Sequence, residues 1–448
     1  MKRVFLALAF FVLGHVACAE VFKDGETVCF LGDSISHGGR FHGFIYDYYL
    51  TRFPGRTIRF VNAGISGDSA GGAWGRLEED VLAKKATSVV VMFGMNDVGR
   101  GNYVASPDAR RLAAQQASLD RYRVAMDKLL GRLKGELNPR LLLATPSPFD
   151  QTAVNDRDNN QPGCNDGLGR CAGIVRELAA TYGAEVVDFN GPMTAFNLER
   201  QKSDAGYTIV GPDRVHPGLP GHLMMAWLFL KAQGAPALVS KVVVDASAGK
   251  VVEQANAAVT EVSSDNGTVR FTVLAEALPF PVDAGARGVL ELLPIVQDLN
   301  QEIVCVKGLP AGTYALAIDG QEVGRYAADA LAAGVNLALN DATPQMKQAA
   351  AVAKLNESRR STETALRNFA AVRWFLRNRQ VDPDDFAAVR SYAETKMAKT
   401  GFYESKVPDY LVKWETRGEV IAKVASFERE AFDARKPVAR RYALSLVP

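Results

Sequence analysis

The chain has 448 residues, of which 48% are hydrophobic and 23% are charged, a composition typical of a globular protein with two or three domains. Its 52 basic and 50 acidic side chains nearly balance, so the charge does not favour nucleic acid as a partner. This composition excludes a disordered chain, a fibrous protein and a polytopic membrane protein.

The first 19 residues have the pattern of a secretory signal peptide. A basic start is followed by an apolar run over residues 4–13 and by small residues at Ala17 and Ala19. The apolar run is shorter than a helix that spans a bilayer, so no membrane span is expected there. We expect cleavage after Ala19 and export to the periplasm or the extracellular space, with a lipoprotein anchor on Cys18 as the second interpretation.

Export would place the remaining cysteines in an oxidising compartment, where neighbouring thiols pair. Cys164 and Cys171 lie in QPGCNDGLGRC, a stretch with the composition of a loop. We predict a local disulfide between these two residues. Cys29 lies within an apolar run and is predicted to be a buried thiol.

From residue 20 to about residue 238, short apolar runs alternate with helical patterns. This alternation, with strands that are apolar almost throughout, predicts a parallel sheet covered by helices on both faces. Ligands bind such sheets at the carboxyl ends of the strands, so residues directly after each run are the candidate functional residues. The predicted strands are TVCFLG, TIRFVNAG, SVVVMFG, RLLLATPS and AEVVDFN, and the predicted helices are FHGFIYDYYLTRF, ARRLAAQQASLDRYRVAMDKLLGRL and CAGIVRELAATYG.

The first predicted strand ends in GDSIS, which places the hydroxyl of Ser34 at this edge of the sheet. A serine becomes an effective nucleophile when a base takes its proton and donors stabilise the oxyanion on the attacked carbonyl. In GPDRVHPGLPGH, Asp213 precedes His216 by three residues, a spacing that lets the carboxylate orient the imidazole. We therefore assign Ser34 as the nucleophile, His216 as the base and Asp213 as the residue that orients the base.

Two further stretches follow the second and third predicted strands and offer donors for the oxyanion. NAGISGDSAGG is a glycine-rich loop in which Gly67 is the natural backbone donor, and MFGMNDVGRG carries the neutral side-chain amide of Asn96. Among the other histidines, His222 is interpreted as a helix-start or packing residue. His37 and His42 are interpreted as residues that line or cap the first helix, with substrate contact by His37 as an alternative.

Together these stretches resemble the four sequence blocks of the SGNH/GDSL hydrolase family. The blocks are GDSIS, NAGISGD, GMND and DRVHP, in that order, and the resemblance covers residues 27–234. It implies a flavodoxin-like three-layer α/β/α fold and ester hydrolysis without a metal or cofactor. It also implies that Ser34 uses its own N–H in the oxyanion hole, that Gly67 and Asn96 complete this hole, and that Asp213 and His216 complete the triad.

The second half of the chain is predicted to contain a small β-rich unit over residues 239–340 and a helical region over residues 341–448. IDGQEVGRY carries an Asp-Gly turn between two strand-like pieces and predicts a hairpin. Thr343 and Pro344 predict the start of a long helix, Asp382 with Pro383 a second, and Pro408 a third. The predicted strands of the β-rich unit are VRFTVLA, GVLELLP, EIVCVKG and YALAIDG.

The substrate is the least specified part of the prediction. Similar additions after an SGNH domain resemble those of exported bacterial enzymes that act on acylated carbohydrate, so an O-acetyl ester of a polysaccharide or oligosaccharide is the first choice. The expected partner is a small-molecule or polysaccharide ester substrate. A lipase, lysophospholipase or thioesterase with the same triad is the alternative enzyme. A glycan-binding surface protein with a vestigial esterase site is the alternative of a different class. The sequence does not predict an oligomeric state.

Overall fold

The structure, a computed structural model, describes residues 20–265, 267–397 and 401–448. The predicted signal peptide, residues 1–19, lies outside the described residues. Among the described residues, no helix combines the length and the apolar character needed to cross a bilayer.

The first half of the chain forms a five-stranded sheet in which all neighbouring strands are parallel. The spatial order of the strands is second, first, third, fourth and fifth, which is the flavodoxin-like order. The predicted fold class is therefore confirmed, and each of the five predicted runs contains one strand. The strands are β1 (Thr27–Gly32), β2 (Arg59–Gly64), β3 (Ser88–Met92), β4 (Arg140–Ala144) and β5 (Glu185–Val187).

Helices cover both faces of this sheet, which explains why its strands are apolar almost throughout. The second and eighth helices pack together on one face, and the third, fifth and sixth lie on the other. The helices are α1 (Ser34–Gly38), α2 (Arg40–Arg52), α3 (Ala70–Trp74), α4 (Leu77–Asp80), α5 (Ala109–Glu136), α6 (Cys164–Tyr182), α7 (Asn190–Gln201) and α8 (Leu219–Ala232).

The predicted disulfide between Cys164 and Cys171 is wrong. Both residues are buried free thiols of α6, a helix that begins at Cys164. Two residues seven positions apart on a helix are separated by about 10 Å along its axis, whereas a disulfide requires Cα atoms within about 7 Å. Burial raises the pKa of Cys164 to about 12, so the thiol stays protonated and unreactive.

The remaining elements form the β-rich unit and the helical region. One strand, the last of the chain, lies within the region predicted to be helical. The strands are β6 (Leu238–Asp245), β7 (Lys250–Ala255), β8 (Ala257–Asp265), β9 (Thr268–Ala275), β10 (Gln301–Lys307), β11 (Thr313–Ile318), β12 (Gln321–Ala327), β13 (Val335–Asn336) and β14 (Arg440–Leu446). The helices are α9 (Ile295–Leu299), α10 (Ala328–Ala333), α11 (Pro344–Arg377), α12 (Phe386–Thr395), α13 (Val407–Lys413) and α14 (Arg417–Ala434).

The β-rich unit is a sandwich of two sheets, with strand orders β13-β10-β6-β7 and β12-β11-β14-β9-β8. Apolar side chains from both sheets form its core. The predicted hairpin is confirmed between β11 and β12, where Asp319 and Gly320 have φ angles of 51° and 84°, as a type I′ turn requires. The predicted strand GVLELLP is wrong, because Ala284–Glu291 is a 3₁₀ helix that buries Val289.

The helical region lies against the first half of the chain. The side chain of Thr343 accepts a hydrogen bond from the N–H of Met346 at 3.2 Å, which caps α11 as predicted. The second helix starts later than predicted, because Asp385 rather than Asp382 caps it. The predicted third helix is two helices, α13 and α14. Helix α11 packs against α2, α14 and the edge strand β2.

Candidate active site

Three side chains form a hydrogen-bonded chain at the carboxyl edge of the central sheet. The hydroxyl oxygen of Ser34 lies 2.8 Å from Nε2 of His216. Nδ1 of the same imidazole lies 2.6 Å from Oδ2 of Asp213. The two partner side chains are about half exposed, so a ligand has access to this edge. These distances are those of a nucleophile, a base and a residue that orients the base.

Strand β1 ends at Gly32 and helix α1 begins at Ser34, so only Asp33 separates the strand from the helix. The carboxylate of Asp33 caps this helix by accepting a hydrogen bond from the N–H of Ile35 at 3.0 Å. Burial raises the pKa of Asp33 to about 6. A Cβ on Gly32 would lie 2.7 Å from the carbonyl oxygen of Met92, so only glycine lets β1 and β3 approach this closely at the edge.

The loop that carries Asp213 and His216 is held by its own backbone and by Arg214. Oδ1 of Asp213 accepts hydrogen bonds from the N–H groups of Val215 and His216, each at 3.0 Å. Arg214 has a φ of 66°, and its buried guanidinium donates to the carbonyl oxygens of Asp150 and Ala153 at 2.8 Å. A left-handed conformation is uncommon for a residue with a side chain, and the guanidinium contacts lie on Asp150 and Ala153 rather than on Asp213 or His216. No sequence pattern indicated this role for Arg214.

Burial raises the pKa of the Asp213 carboxyl, but the hydrogen bonds from His216 and Val215 outweigh this effect and hold that pKa below its ordinary value. The carboxylate is therefore charged at neutral pH. A charged acceptor keeps the proton of the neutral imidazole on Nδ1, which leaves Nε2 free to accept the proton of the Ser34 hydroxyl.

The candidate oxyanion donors lie on the two loops beside Ser34. We call residues 65–68 the glycine loop. In it, Gly67 is exposed and has a φ of 73°, a left-handed conformation that favours glycine. Among the described residues, no protein acceptor takes its N–H. Nδ2 of Asn96 donates to the carbonyl oxygen of Asp68 at 2.8 Å, which fixes the amide against the glycine loop. The second N–H of that amide remains for a ligand.

Asp97 connects the two donor loops. Its carboxylate accepts hydrogen bonds from the N–H of Ala70, at the start of α3, and from the N–H of Gly94, at 3.0 and 3.1 Å. Burial raises the pKa of Asp97 to about 7. One carboxylate therefore connects the start of α3, two residues after the glycine loop, to the backbone two residues before Asn96.

His37 supports the glycine loop from inside. Its Nδ1 accepts a hydrogen bond from the N–H of Ser66 at 3.0 Å, and the ring is buried. Burial lowers the pKa of His37 to about 3, so the ring stays neutral and can accept this bond. Its position indicates loop support rather than the substrate contact given as the alternative. His222 is buried in the first turns of α8, as predicted.

A buried ion network lies beneath the glycine loop. Arg76 binds the carboxylates of Asp68 and Asp80, with N–O distances of 2.7 and 2.6 Å. Its guanidinium also donates to the carbonyl oxygen of Ala63 at 2.6 Å and to that of Gly32 at 3.2 Å. One arginine therefore ties the ends of β1 and β2 to the end of the glycine loop.

Comparisons with known proteins bear on the family and the fold of this chain. A family model described as the GDSL-like lipase/acylhydrolase family matches residues 30–224. An acetylxylan esterase of Geobacillus stearothermophilus is 28% identical over 226 residues, which are 47% of this chain and 95% of that protein. The solved structure of a gut microbial diltiazem-metabolizing enzyme is similar over 96% of this chain and 100% of its own, with 32% identity and a TM-score of 0.89. The chain belongs to the SGNH/GDSL hydrolase family.

As an SGNH/GDSL hydrolase, the protein is a serine ester hydrolase. The family model ends at residue 224, before the β-rich unit and the helical region. The similarity to the diltiazem-metabolizing enzyme extends across these regions as well, so the arrangement of all three parts is shared with that structure.

Proposed function

We propose that the protein is an exported acetyl esterase that acts on acetylated carbohydrate through Ser34, His216 and Asp213. The observation that carries this proposal is the hydrogen-bonded chain from the hydroxyl oxygen to Nε2 at 2.8 Å and from Nδ1 to the carboxylate at 2.6 Å. The proposed oxyanion hole consists of the N–H groups of Ser34 and Gly67 and the side-chain amide of Asn96.

In the first step, Oγ of Ser34 attacks the ester carbonyl carbon while Nε2 of His216 takes the hydroxyl proton. The negative charge that develops on the carbonyl oxygen is stabilised by the three N–H donors. When the tetrahedral intermediate collapses, the bond to the alcohol breaks, and His216 returns the proton to that alcohol. Water then attacks the acetyl-serine with His216 as the base, which releases acetate and restores the serine hydroxyl.

The carbohydrate substrate is supported by the relative whose name is acetylxylan esterase, which is similar to the catalytic half of this chain. The enzyme that is similar over 96% of this chain is described as diltiazem-metabolizing. Diltiazem is itself an acetyl ester of a secondary alcohol, as acetylated sugars are. An acetyl group on a secondary alcohol is therefore the chemistry that we assign to the substrate.

The proposal of export depends on the basic and apolar pattern of residues 1–19. Expression of the full chain in a Gram-negative host, followed by amino-terminal sequencing of the purified protein, tests it. We expect a mature protein that starts at Glu20 and is recovered from the periplasm or the medium. A cytoplasmic protein that retains residues 1–19 would contradict the proposal.

The experiment that tests the activity compares the mature protein with its Ser34→Ala variant on 4-nitrophenyl acetate, butyrate and octanoate, and then on acetylated xylan and diltiazem. Ser36→Ala is the matched control, because it removes a buried hydroxyl from the same helix without touching His216. We expect the acetyl ester to be hydrolysed fastest, the Ser34→Ala variant to lose this activity, and the control to retain it.

Different outcomes separate the proposal from its alternatives. Faster hydrolysis of octanoate than of acetate would indicate a lipase, lysophospholipase or thioesterase. A wild type that is inactive on every ester but binds xylan would indicate a glycan-binding protein with a vestigial site. Activity that persists in the Ser34→Ala variant would contradict the assignment of the nucleophile.

A further inference from the structure

Helix α11, outside the catalytic half of the chain, reaches the base of the glycine loop through one arginine. Arg367 is only 6% exposed, and its Nε and Nη2 donate to the carbonyl oxygen of Gly64 at 3.2 and 3.1 Å. Gly64 is the last residue of β2, directly before the glycine loop. The contact therefore joins the helical region to a residue three positions before the proposed oxyanion donor Gly67.

The same guanidinium is part of the buried ion network. Nη1 and Nη2 of Arg367 donate to the two carboxylate oxygens of Asp80 at 2.8 and 3.1 Å, and Arg76 binds the same carboxylate. Burial lowers the pKa of Arg367, but the charge of Asp80 outweighs this effect and holds the pKa above its ordinary value. The guanidinium is thus always charged, and its planar fork suits two simultaneous acceptors.

The two arginines hold opposite ends of the glycine loop. Arg367 binds Gly64, directly before the loop, and Arg76 binds the side chain of Asp68, the last residue of the loop. Asp80 connects them, because both guanidinium groups bind its carboxylate. A shift of α11 would therefore move one end of the loop relative to the other.

A second residue of the helical region, Tyr403, lies against the glycine loop at Gly67. A Cβ built on Gly67 would lie 3.2 Å from the hydroxyl oxygen of Tyr403, and this hydroxyl is shielded from solvent. The ring of Tyr403 stacks on Phe375 of α11, with centroids 5.4 Å apart and planes at 21°. Two residues of the helical region thus lie against this segment, Arg367 at Gly64 and Tyr403 at Gly67.

We propose that Arg367 is a positioning residue for the oxyanion hole, and that Tyr403 supports the same loop at Gly67. The helical region is then part of the active site although it supplies none of the reacting groups. This inference rests on the proposed function, because it takes the N–H of Gly67 to be an oxyanion donor. A displaced donor stabilises the transition state less while it leaves substrate binding almost unchanged.

The test uses Arg367→Lys, which keeps a positive charge for Asp80 but cannot bind the Gly64 carbonyl with a fork. The matched control is Arg373→Lys on the same helix, where the buried arginine forms a two-bond ion pair with Asp384 and does not contact the glycine loop. Turnover of 4-nitrophenyl acetate, the rate at which a fluorophosphonate labels Ser34, and the melting temperature are measured for each protein.

We expect kcat of Arg367→Lys to fall about 10- to 100-fold with KM changed less than about 2-fold, since the lost interaction exists in the transition state. Fluorophosphonate labelling should slow by a similar factor, because it also develops charge on an oxygen in that hole. Arg373→Lys should lower the melting temperature and leave kcat unchanged. Tyr403→Ala, at a partly buried position outside the catalytic half, should reduce kcat in the same way and keeps the test decisive where Arg367→Lys does not fold.

A folded Arg367→Lys variant with the wild-type kcat and labelling rate would overturn the inference. Equal losses of kcat in Arg367→Lys and in the Arg373→Lys control would also overturn it, because the effect would then be general destabilisation. Failure of the proposed function looks different: the wild type would react with the fluorophosphonate at Ser34 and yet release no acetate from any acetyl ester.

Discussion

The carboxylate of Asp213 offers the most direct test of the proposed triad. Its Oδ2 lies 2.6 Å from Nδ1 of His216, while Oδ1 accepts hydrogen bonds from two backbone N–H groups of its own loop. Asp213→Asn keeps an oxygen for those backbone donors and therefore keeps the loop. The amide nitrogen then faces Nδ1 and donates to it.

The expected effect follows from the tautomer of the imidazole. When Nδ1 of His216 accepts a hydrogen bond from the amide, the ring proton lies on Nε2, which can no longer accept the proton of Ser34. The charge that stabilised the imidazolium is lost as well. Such a change lowers kcat by roughly 10⁴, or about 5 kcal/mol in activation free energy, in an enzyme with this arrangement.

The assay is kcat for 4-nitrophenyl acetate at pH 7, measured beside the melting temperature. Asp188→Asn is the matched control, because Asp188 lies just after β5, on the same sheet edge, and is paired with Arg176 rather than with a histidine. We expect the control to retain the wild-type kcat. A folded Asp213→Asn variant within about tenfold of the wild type would refute the reasoning, because tautomer control predicts a far larger loss.

Three other predictions concern stability and the thiols. Gly64→Ala places a methyl group 2.1 Å from a backbone nitrogen of α1 and should lower the free energy of unfolding, measured by urea titration, by at least about 3 kcal/mol. Gly38→Ala is the control, because a Cβ there meets no other part of the chain within 4 Å, and it should leave the free energy of unfolding nearly unchanged. Burial lowers the pKa of His222 to about 3, so between pH 6 and pH 4 the unfolded chain binds about one more proton at this residue than the folded protein does. The free energy of unfolding of the wild type should therefore fall as the pH is lowered through this range. The His222→Gln variant should reduce the dependence of the free energy of unfolding on pH by about 1.4 kcal/mol per pH unit. Without reductant, Cys164 and Cys171 should not react with a thiol reagent in the native protein, and both should react after the protein is unfolded in guanidinium. If neither residue reacts in the unfolded protein, the two residues form a disulfide.

The catalytic half was predictable because its signals are local. Each strand of a parallel sheet covered on both faces is a short apolar run, and the runs identified β1 to β5. The candidate functional residues directly follow these runs or lie in a single compact loop. Since the carboxyl ends of parallel strands meet at one edge, Ser34, Gly67 and Asn96 could be assigned to the same site without any structural information.

The start of α6 was missed for a compositional reason. Glycine, asparagine and aspartate around Cys164 favour a loop when they are counted, and this impression led to the wrong disulfide. The buried positions Cys164, Leu168, Cys171 and Val175 nevertheless recur at intervals of three and four residues, which is the pattern of one face of a helix. Periodicity was the better guide here than composition.

The supporting residues could not be predicted, because their partners are distant in sequence. Arg367 occurs in α11 among many charged residues, and only the fold brings it to the carbonyl group of Gly64. Arg214 owes its role to a left-handed backbone conformation that its residue type does not indicate. Strand β14 has the alternating pattern of a strand, but its neighbours β9 and β11 precede it by more than a hundred positions in the chain.

The position of β14 also determines the order in which the protein can assemble. The strand is central in its sheet, between β11 and β9, so the sheet consists of two separate hairpins until Arg440–Leu446 has been synthesised. The catalytic sheet needs no residue from this part of the chain and can form while synthesis continues. A ribosome that stalls before Arg440 therefore presents a nearly finished hydrolase domain joined to two hairpins with open edges, and open strand edges are the surfaces through which nascent chains aggregate.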